Sequence, residues 1–329
     1  MTTNYPLLAT IQETAHRLAG RVLETPVWQW QAGIIPHAVP RDTQVWLKLE
    51  LWQKTGTFKV RGALNCIDAL SAEAKHRGVV AVSAGNHAIA VAYAAQAAGT
   101  HAKVVMLEQS SPARIAAVQA CGAETVLMPD IHAAFCHVSE IEAHEQRTLI
   151  HPFEGPRTAE GTATVGLEFM RQVPDLDAVI IPIGGGGLCA GIAAAVKQIN
   201  PTCQVYGVEP EGADTMTRSF ASGRTEQLPV VNTIADSLGA PFTLPYSLNV
   251  CRRFVDEIVR VDDSALCRAM FYLYRDMKLV AEPAAAASTA ALLGPLEEAT
   301  AGKRVGLIVC GSNIDSAHFA QLLARGAQR

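Results

Sequence analysis

Short apolar runs alternate along the chain with longer, alanine-rich stretches whose apolar positions recur at helical spacing. The apolar runs predict β-strands, which we place at 43–50, 78–83, 102–108, 124–129, 177–183, 203–209 and 304–310. Stretches such as 88–99 and 188–200 predict helices between them. Continuous apolar strands separated by helices are typical of parallel sheets that are covered on both faces. The pattern therefore predicts an α/β fold with two sheets.

The strand–helix units between 77 and 150 predict a small domain inserted into a larger one. The large domain would then combine residues 1–76 with residues 151–329. The segment from about 211 to 260 contains Pro229, Pro241 and Pro245, and we interpret it as loops and short helices.

Composition narrows the function classes. The chain has 329 residues, of which 49% are hydrophobic, and this is enough for substantial cores. Its net charge is −4, and it lacks the basic runs of a nucleic-acid binder. The N-terminus lacks a signal-peptide pattern, no apolar run reaches transmembrane length, and the eight cysteines are scattered. We expect a cytoplasmic protein with reduced thiols and a small-molecule partner.

Four consecutive glycines, 184–187, follow the strand predicted at 177–183 and lead into a helix that begins near Leu188. Glycines let backbone N–H groups approach a ligand closely, and the start of a helix favours negative charge. No Lys-Ser/Thr pair follows, so this is not a Walker loop. The pattern favours a phosphate site, and a flexible turn is the alternative.

Two further polar segments stand at predicted strand ends. The loop SAGNHA, 83–88, opens a helix and offers backbone N–H groups to a carboxylate, although Ser83 or Asn86 as a helix cap explains it about as well. The segment VCGSN, 309–313, places Cys310 at the end of a strand, where a buried inert thiol is the usual case. Ligands collect at the carboxyl ends of strands in open α/β sheets, so these loops could converge on one cleft.

A lysine stands in the segment TGTFKVRGALN, 55–65. Thr57 is a candidate N-cap, which would put Lys59 in the first turn of a helix. The helix dipole disfavours a cation there and lowers its pKa, and a neutral amine is what Schiff-base chemistry needs. Judged from this segment alone, a solvated lysine remains the commoner explanation.

Together these motifs resemble the fold type II pyridoxal-phosphate enzymes, specifically the serine/threonine dehydratase and serine racemase family. The matching segments run in order through nearly the whole chain: 55–65, 83–88, 151–156, 182–193, 205–214, 233–237, 277–283 and 310–313. The resemblance implies two open, twisted, mostly parallel-sheet domains of the tryptophan synthase beta type, with the cofactor in the cleft between them.

The resemblance also implies residue roles. Lys59 would form the Schiff base with pyridoxal phosphate and act as the catalytic base. The other implied cofactor-binding residues are Phe58 against the ring, Asn86 at the ring oxygen, Cys310 at the ring nitrogen, Glu282, and Gly184, Gly185, Gly186, Gly187 and Leu188 at the phosphate. The implied substrate-binding residues are Ser83, Ala84, Gly85, Asn86, His87 and Phe153.

The implied activity is that of an ammonia-lyase, in which an L-β-hydroxy-α-amino acid loses water and yields a 2-oxo acid and ammonia. Ala84 replaces the second serine of the racemases, which favours dehydration over racemisation. Ser237 stands where relatives often have glycine, and EGTAT, 160–164, replaces the usual AGQGT. A racemase with side elimination activity and a non-catalytic amino-acid-binding relative are the alternatives. Serine, threonine, hydroxyaspartate, phenylserine and bulkier analogues stay open as substrates.

Two further expectations follow from the family. The segment EPEGAD, 209–214, resembles a divalent-cation site in which Glu209 and the Ala213 carbonyl match. Oxygen ligands suit Mg²⁺ or Ca²⁺, and a solvated acidic turn is the alternative. Dimers are common in the family, so we expect a homodimer.

Overall fold

The computed structural model describes residues 5–328. Ten strands lie in that part of the chain: β1 (Val27–Trp30), β2 (Gln44–Lys48), β3 (Val79–Val82), β4 (Ala102–Leu107), β5 (Glu124–Met128), β6 (Thr148–Leu149), β7 (Ala178–Pro182), β8 (Gln204–Pro210), β9 (Glu257–Val261) and β10 (Arg304–Ile308). Each apolar run that predicted a strand overlaps one of them, and only β8 extends past its run, by one residue.

The helices fill the intervals between the strands. They are α1 (Leu8–Leu18), α2 (Ile35–Ala38), α3 (Lys59–Asp68), α4 (Ala72–Arg77), α5 (Asn86–Ala97), α6 (Pro112–Ala120), α7 (Ile131–Glu145), α8 (Pro156–Gln172), α9 (Gly187–Ile199), α10 (Thr215–Ser222), α11 (Pro245–Phe254), α12 (Asp263–Met277), α13 (Pro283–Leu292) and α14 (Ser316–Gly326). Short 3₁₀ helices occupy Glu50–Trp52, Glu211–Ala213 and Asp236–Leu238. No helix in residues 5–328 is long and apolar enough to cross a membrane.

The larger sheet has six strands in the order β1-β2-β10-β7-β8-β9. Only β1 runs antiparallel, paired with β2, and the other neighbours are parallel. The strands β7 and β10 are adjacent, so their carboxyl ends open at the same edge of the sheet. The predicted mostly parallel α/β class is confirmed.

The smaller sheet has four parallel strands in the order β5-β4-β3-β6. Alternate residues of β3 face opposite layers: Val79 and Ala81 pack with α5, whereas Val80 and Val82 pack with α7. This two-sided burial explains why the strand is apolar at every position rather than at every second one. The two predicted sheets are confirmed, and the domain bounds at 77 and 150 stay a prediction.

A buried cluster of charges fixes the start of α3. The Arg61 guanidinium lies 2.8 Å from Glu50 Oε1 and 2.6 Å from Glu168 Oε1, and Arg61 and Glu50 are fully buried. Lys48 of β2 donates to the second oxygen of Glu168 at 2.8 Å. Buried charges are tolerated only when they are paired and hydrogen-bonded. The cluster therefore ties α3 to β2 and α8, two residues from Lys59.

The region from about 211 to 260 is more regular than expected. It contains α10, α11 and most of β9, in addition to loops and two short 3₁₀ helices. Strand β9 was missed because it forms the sheet edge and its sequence, EIVRV, exposes Glu257 and Arg260. An edge strand with polar outward positions lacks the continuous apolar run by which the other strands were recognised.

Candidate active site

Four strand ends converge on one cleft between the two sheets. The segments after β3, β7 and β10 carry the SAGN, GGGG and CGSN sequences, and the segment after β2 leads to Lys59. Backbone bonds join two of these segments: Phe58 N–H donates to the Cys310 carbonyl at 3.3 Å, and Ser312 N–H donates to the Gly56 carbonyl at 3.0 Å. The structure thus brings together the loops that were singled out separately.

Lys59 is the first residue of α3 and is partly buried in this cleft. Its Nζ donates to the Pro152 carbonyl at 2.6 Å. Burial lowers the pKa of Lys59 to about 8, and the charge of the nearby Glu282 carboxylate acts in the opposite direction. The predicted cap was wrong by one residue, because Phe58 occupies the N-cap position. Desolvation is the main cause of the pKa shift, a cause that the sequence argument did not name.

The glycine loop forms a cradle that side chains would fill. Gly186 has φ +97°, which favours glycine, and an added Cβ at Gly185 would lie 2.2 Å from the Phe153 ring. An added Cβ at Gly187 would lie 2.5 Å from the Phe153 carbonyl oxygen. Helix α9 begins at Gly187, so its first N–H groups have no partner within the helix and point toward the cradle. The loop therefore fits a phosphate group.

Asn86 connects the two sides of the cleft. Its Nδ2 lies 2.8 Å from Glu282 Oε1 and 3.0 Å from Ser237 Oγ, and its Oδ1 accepts from Asn313 Nδ2 at 2.9 Å. Burial raises the pKa of Glu282 to about 7, and the Asn86 amide opposes that rise. The carboxyl group of Glu282 is therefore poised between its charged and neutral forms near neutral pH.

Cys310 lies two residues beyond the end of β10 and lines the same pocket as Phe58, Lys59 and the glycine loop. Burial raises the pKa of its thiol well above the ordinary value, and the charge of Glu282 adds to the rise. The thiol is therefore neutral. A neutral group suits the unprotonated ring nitrogen of a pyridine.

The 83–88 loop leads directly into α5, which begins at Asn86. Gly85 N–H donates to Ser83 Oγ at 3.1 Å, and His87 Nε2 lies 2.7 Å from the Ile150 carbonyl oxygen. Burial and the Lys59 charge lower the pKa of His87 to about 3, so its ring is neutral and donates through Nε2. Together with Ala84, these residues line the cleft that Lys59 also lines. The N–H groups at the start of α5 can bind a carboxylate there.

Three phenylalanines form one side of the cleft, and we call Phe135, Phe153 and Phe242 the aromatic wall. The ring centroid of Phe242 lies 6.0 Å from that of Phe153 and 6.3 Å from that of Phe135. Phe153 is held in place by Ser247, whose hydroxyl donates to its carbonyl at 2.8 Å. Phe135 comes from α7 beside the smaller sheet, so both sides of the cleft contribute. Sequence analysis singled out only Phe153.

Arg114 of α6 closes the cleft on another side, and sequence analysis missed it. Its Nη1 lies 2.6 Å from Asp236 Oδ2, and its Nη2 donates to the Asn313 carbonyl at 2.8 Å. No local pattern distinguished this arginine, because its partners lie far away along the chain.

The expected cation site is not supported. Both oxygens of the Glu209 carboxylate accept hydrogen bonds from the first turn of α10, from Met216 N–H and Thr217 N–H at 2.8 Å each. The side chain of Asp214 pairs with Arg218 instead. Residues 5–328 contain no cluster of three metal-ligating side chains, at Glu209 and the Ala213 carbonyl or elsewhere. Glu209 caps a helix, which explains its burial without a metal.

The EGTAT segment lies within α8, and two of its residues face different neighbours. The Glu160 carboxylate accepts from Asn65 and Arg157, whereas the Thr162 hydroxyl donates to the Gly187 carbonyl at 2.8 Å. Thr162 therefore stabilises the glycine loop through the Gly187 carbonyl. The contacts with Asn65 and Arg157 direct the Glu160 side chain toward α3 and the start of α8.

Residues 20–311 match the family model described as pyridoxal-phosphate dependent enzyme. Among curated relatives, phenylserine dehydratase of Ralstonia pickettii is 50% identical over 99% of this chain and 98% of its own. The catabolic L-threonine dehydratase of Escherichia coli K12 is 38% identical over 95% of this chain and 94% of its own. Among solved structures, maize serine racemase superposes with a TM-score of 0.90 at 36% identity, covering 98% of both chains.

Proposed function

The chain belongs to the pyridoxal-phosphate dependent enzyme family, and we propose that its substrates are L-β-hydroxy-α-amino acids with an aromatic β-substituent, such as phenylserine. It is a dehydratase, or ammonia-lyase, that converts an L-β-hydroxy-α-amino acid into a 2-oxo acid and ammonia. The observation that carries the aromatic specificity is the aromatic wall beside Lys59.

We propose that pyridoxal phosphate is held in the pocket lined by the glycine loop, Phe58 and Cys310. The N–H groups of 184–188 would bind its phosphate, Phe58 would pack against its ring, and the amide of Asn86 would bind its ring oxygen. The neutral Cys310 thiol would face the ring nitrogen. When bound, the cofactor supplies an electron sink for the charge that develops at the substrate Cα.

Lys59 is the proposed anchor of the cofactor and the proposed base. Its amine must be neutral to accept the Cα proton, and its burial favours the neutral form. The N–H groups at the start of α5 would hold the substrate carboxylate and so direct the Cα–H bond toward Nζ. The β-hydroxyl then leaves from Cβ as water.

The aromatic wall supports a bulky, apolar β-substituent. Aromatic rings pack with centroids about 4.5–7 Å apart, and Phe242 lies within this distance of both other rings of the wall. A second substrate carboxylate would need a cation in the cleft that is not already paired with a carboxylate. Arg114 lines the cleft, but its positive charge is balanced by the ion pair with Asp236. His151 is also neutral, because burial and the Lys59 charge lower its pKa to about 4. The name of the 50% identical relative agrees with an aryl substrate.

Release of 2-oxo acid and ammonia from a panel of substrates tests the proposal. We expect the highest kcat/KM with phenylserine and lower values with serine, threonine and 3-hydroxyaspartate. A clear preference for threonine or hydroxyaspartate would overturn the aryl specificity. Rapid formation of the D-amino acid without 2-oxo acid would instead favour a racemase, although Ala84 offers no acid–base group.

Lys59→Ala provides the matched test of the anchor. The variant should lose the visible absorption that depends on a lysine-bound cofactor, and its kcat should fall by roughly 10³-fold or more. Lys54→Ala is the control, since Lys54 is exposed and donates only to the Gly20 carbonyl. An unchanged absorption spectrum in Lys59→Ala would contradict the assignment.

We further propose that the enzyme is a cytoplasmic homodimer with the small domain at 77–150. The eight cysteines are all free in the structure, which agrees with a reducing compartment. Light scattering of the purified protein tests the oligomeric state, and a monomer at working concentrations would contradict it.

A further inference from the structure

Ser237 is a polar residue of the cleft that the proposed chemistry has not yet used. It lies in the 3₁₀ helix Asp236–Leu238, is half-buried, and lines both the substrate cleft and the pocket of the glycine loop. Lys59 lines the same two spaces. The Ser237 hydroxyl therefore lies where the substrate cleft meets the pocket of the glycine loop, as Lys59 does.

The Ser237 hydroxyl oxygen accepts a hydrogen bond from a neighbouring side chain. Asn86 Nδ2 donates to Ser237 Oγ at 3.0 Å. The same Nδ2 lies 2.8 Å and 3.1 Å from the two oxygens of Glu282. An amide nitrogen has only two protons for these three acceptors. Ser237, Asn86 and Glu282 therefore form one polar group around the Asn86 amide.

The Ser237 proton is held weakly. Ser237 Oγ lies 3.3 Å from Asp236 Oδ1, longer than the 2.5–3.0 Å that is usual for O–H···O bonds. The other oxygen of Asp236 is taken by Arg114 at 2.6 Å. The hydroxyl can therefore turn from Asp236 to a better acceptor at small cost.

We propose that Ser237 is a catalytic residue that binds the departing β-hydroxyl of the substrate and protonates it. In this step the Cα–H bond breaks and its proton goes to Lys59, while the electron pair forms the Cα=Cβ bond. The Cβ–O bond breaks, and the oxygen keeps that electron pair and takes the Ser237 proton, so water leaves.

The remaining protons are exchanged with solvent. Ser237 is half-buried and lines the open cleft, so its Oγ recovers a proton from solvent. After the product leaves, Lys59 releases its extra proton to solvent. Hydroxide is a poor leaving group, so a proton donor at this point accelerates the loss of water, whereas a halide leaves without one.

The test compares two leaving groups in Ser237→Ala and Ser237→Gly. With a β-hydroxy substrate, we expect kcat to fall by about 100-fold, within the range for loss of a general acid. With β-chloro-L-alanine, chloride leaves unprotonated and the rate should stay close to that of the wild type. Ser237→Thr keeps a hydroxyl and should retain more water elimination than Ser237→Ala. An equal fall for both leaving groups, or no fall for either, would overturn the proposal.

Two measurements separate this chemistry from a structural effect. If Ser237 only positioned Asn86, the variants would change the absorption spectrum of the bound cofactor and slow both eliminations. We expect an unchanged spectrum and an unchanged thermal midpoint. The inference rests on the proposed function only for the elimination of water, so a wild type that prefers threonine refutes the aryl specificity, and threonine then serves as the substrate for the Ser237 comparison.

Discussion

The Arg114 guanidinium and the Asp236 carboxylate meet at 2.6 Å across the cleft, joining α6 beside the smaller sheet to a loop of the chain that forms the larger one. The same guanidinium donates twice to the Asn313 carbonyl, at 2.8 and 3.3 Å. It also lies against Gly85, where an added Cβ would come within 3.1 Å of Nη1. Arg114 therefore fixes the substrate loop relative to two loops from the opposite side.

Replacing Arg114 should weaken substrate binding. Arg114→Gln removes the ion pair and shortens the reach of the side chain, so we expect KM to rise about tenfold while kcat changes less, as for a lost ground-state contact. Steady-state kinetics checks this, with Arg224→Gln as the control, because Arg224 pairs with Glu226 on the exposed surface. The double variant Arg114→Gln/Asp236→Asn should raise the apparent binding free energy, taken from KM, by less than the sum of the two single changes. Full additivity of these free energies would show that the pair does not act as a unit.

The aromatic wall should determine the substrate preference. Phe135→Ala and Phe242→Ala each remove ring contacts, and we expect kcat/KM for phenylserine to fall about 10–100-fold from lost burial and ring packing. The kcat/KM for threonine, which has only a methyl group at that position, should stay within a few-fold of the wild-type value. A parallel fall with both substrates would mean that the wall supports the fold and not the substrate.

The sequence predicted the parts of the site that depend on local pattern. Four glycines after an apolar strand indicated an anion cradle, and the structure places that cradle at the start of α9. The strands of the sheet interiors were recognisable because both of their faces are buried. The single lysine in 55–65 was ambiguous by itself, since the desolvation that lowers its pKa comes from residues far along the chain.

The rest of the site consists of contacts between distant residues, which local pattern does not encode. Arg114 and Asp236 are separated by 122 positions, and each alone is an ordinary charged residue. Phe135 is half-buried on a helix and becomes notable only beside Phe242. The acidic segment that predicted a cation site has another explanation in the structure. Its glutamate, Glu209, caps α10 by accepting hydrogen bonds from the N–H groups of the first turn.

Glu50 should be important for stability. Its carboxylate is fully buried and accepts from Arg61 Nε and Nη2 at 2.8 Å each and from the Thr25 hydroxyl at 2.5 Å. Glu50→Gln keeps the shape but leaves Arg61 with less compensation, so we expect the free energy of unfolding to fall by about 3–5 kcal/mol. Urea denaturation checks this. Glu73→Gln is the control, since Glu73 is an exposed partner of Arg77 and should change stability by less than about 1 kcal/mol.

The pH profile should report the ionisation of Lys59. Its pKa is lowered to about 8 by burial, so the base is protonated below that pH, and kcat should rise with pH and level off above about 8. The charge of Glu282 acts to raise this pKa. Glu282→Gln removes that charge, which leaves the ammonium form less stabilised, so the rising limb should move to lower pH.

Glu282→Gln also tests how the ionisation of Glu282 affects the stability of the folded protein. Burial raises the pKa of Glu282 to about 7, so the folded chain binds a proton that the unfolded chain has lost above about 4.5. The unfolded state therefore binds fewer protons between these values, and the contribution of Glu282 to stability is lost as pH rises toward 7. The variant should remove this part of the pH dependence of the thermal midpoint while it shifts the kinetic limb. A kinetic limb that stays in place after the substitution would assign the ionisation to another group.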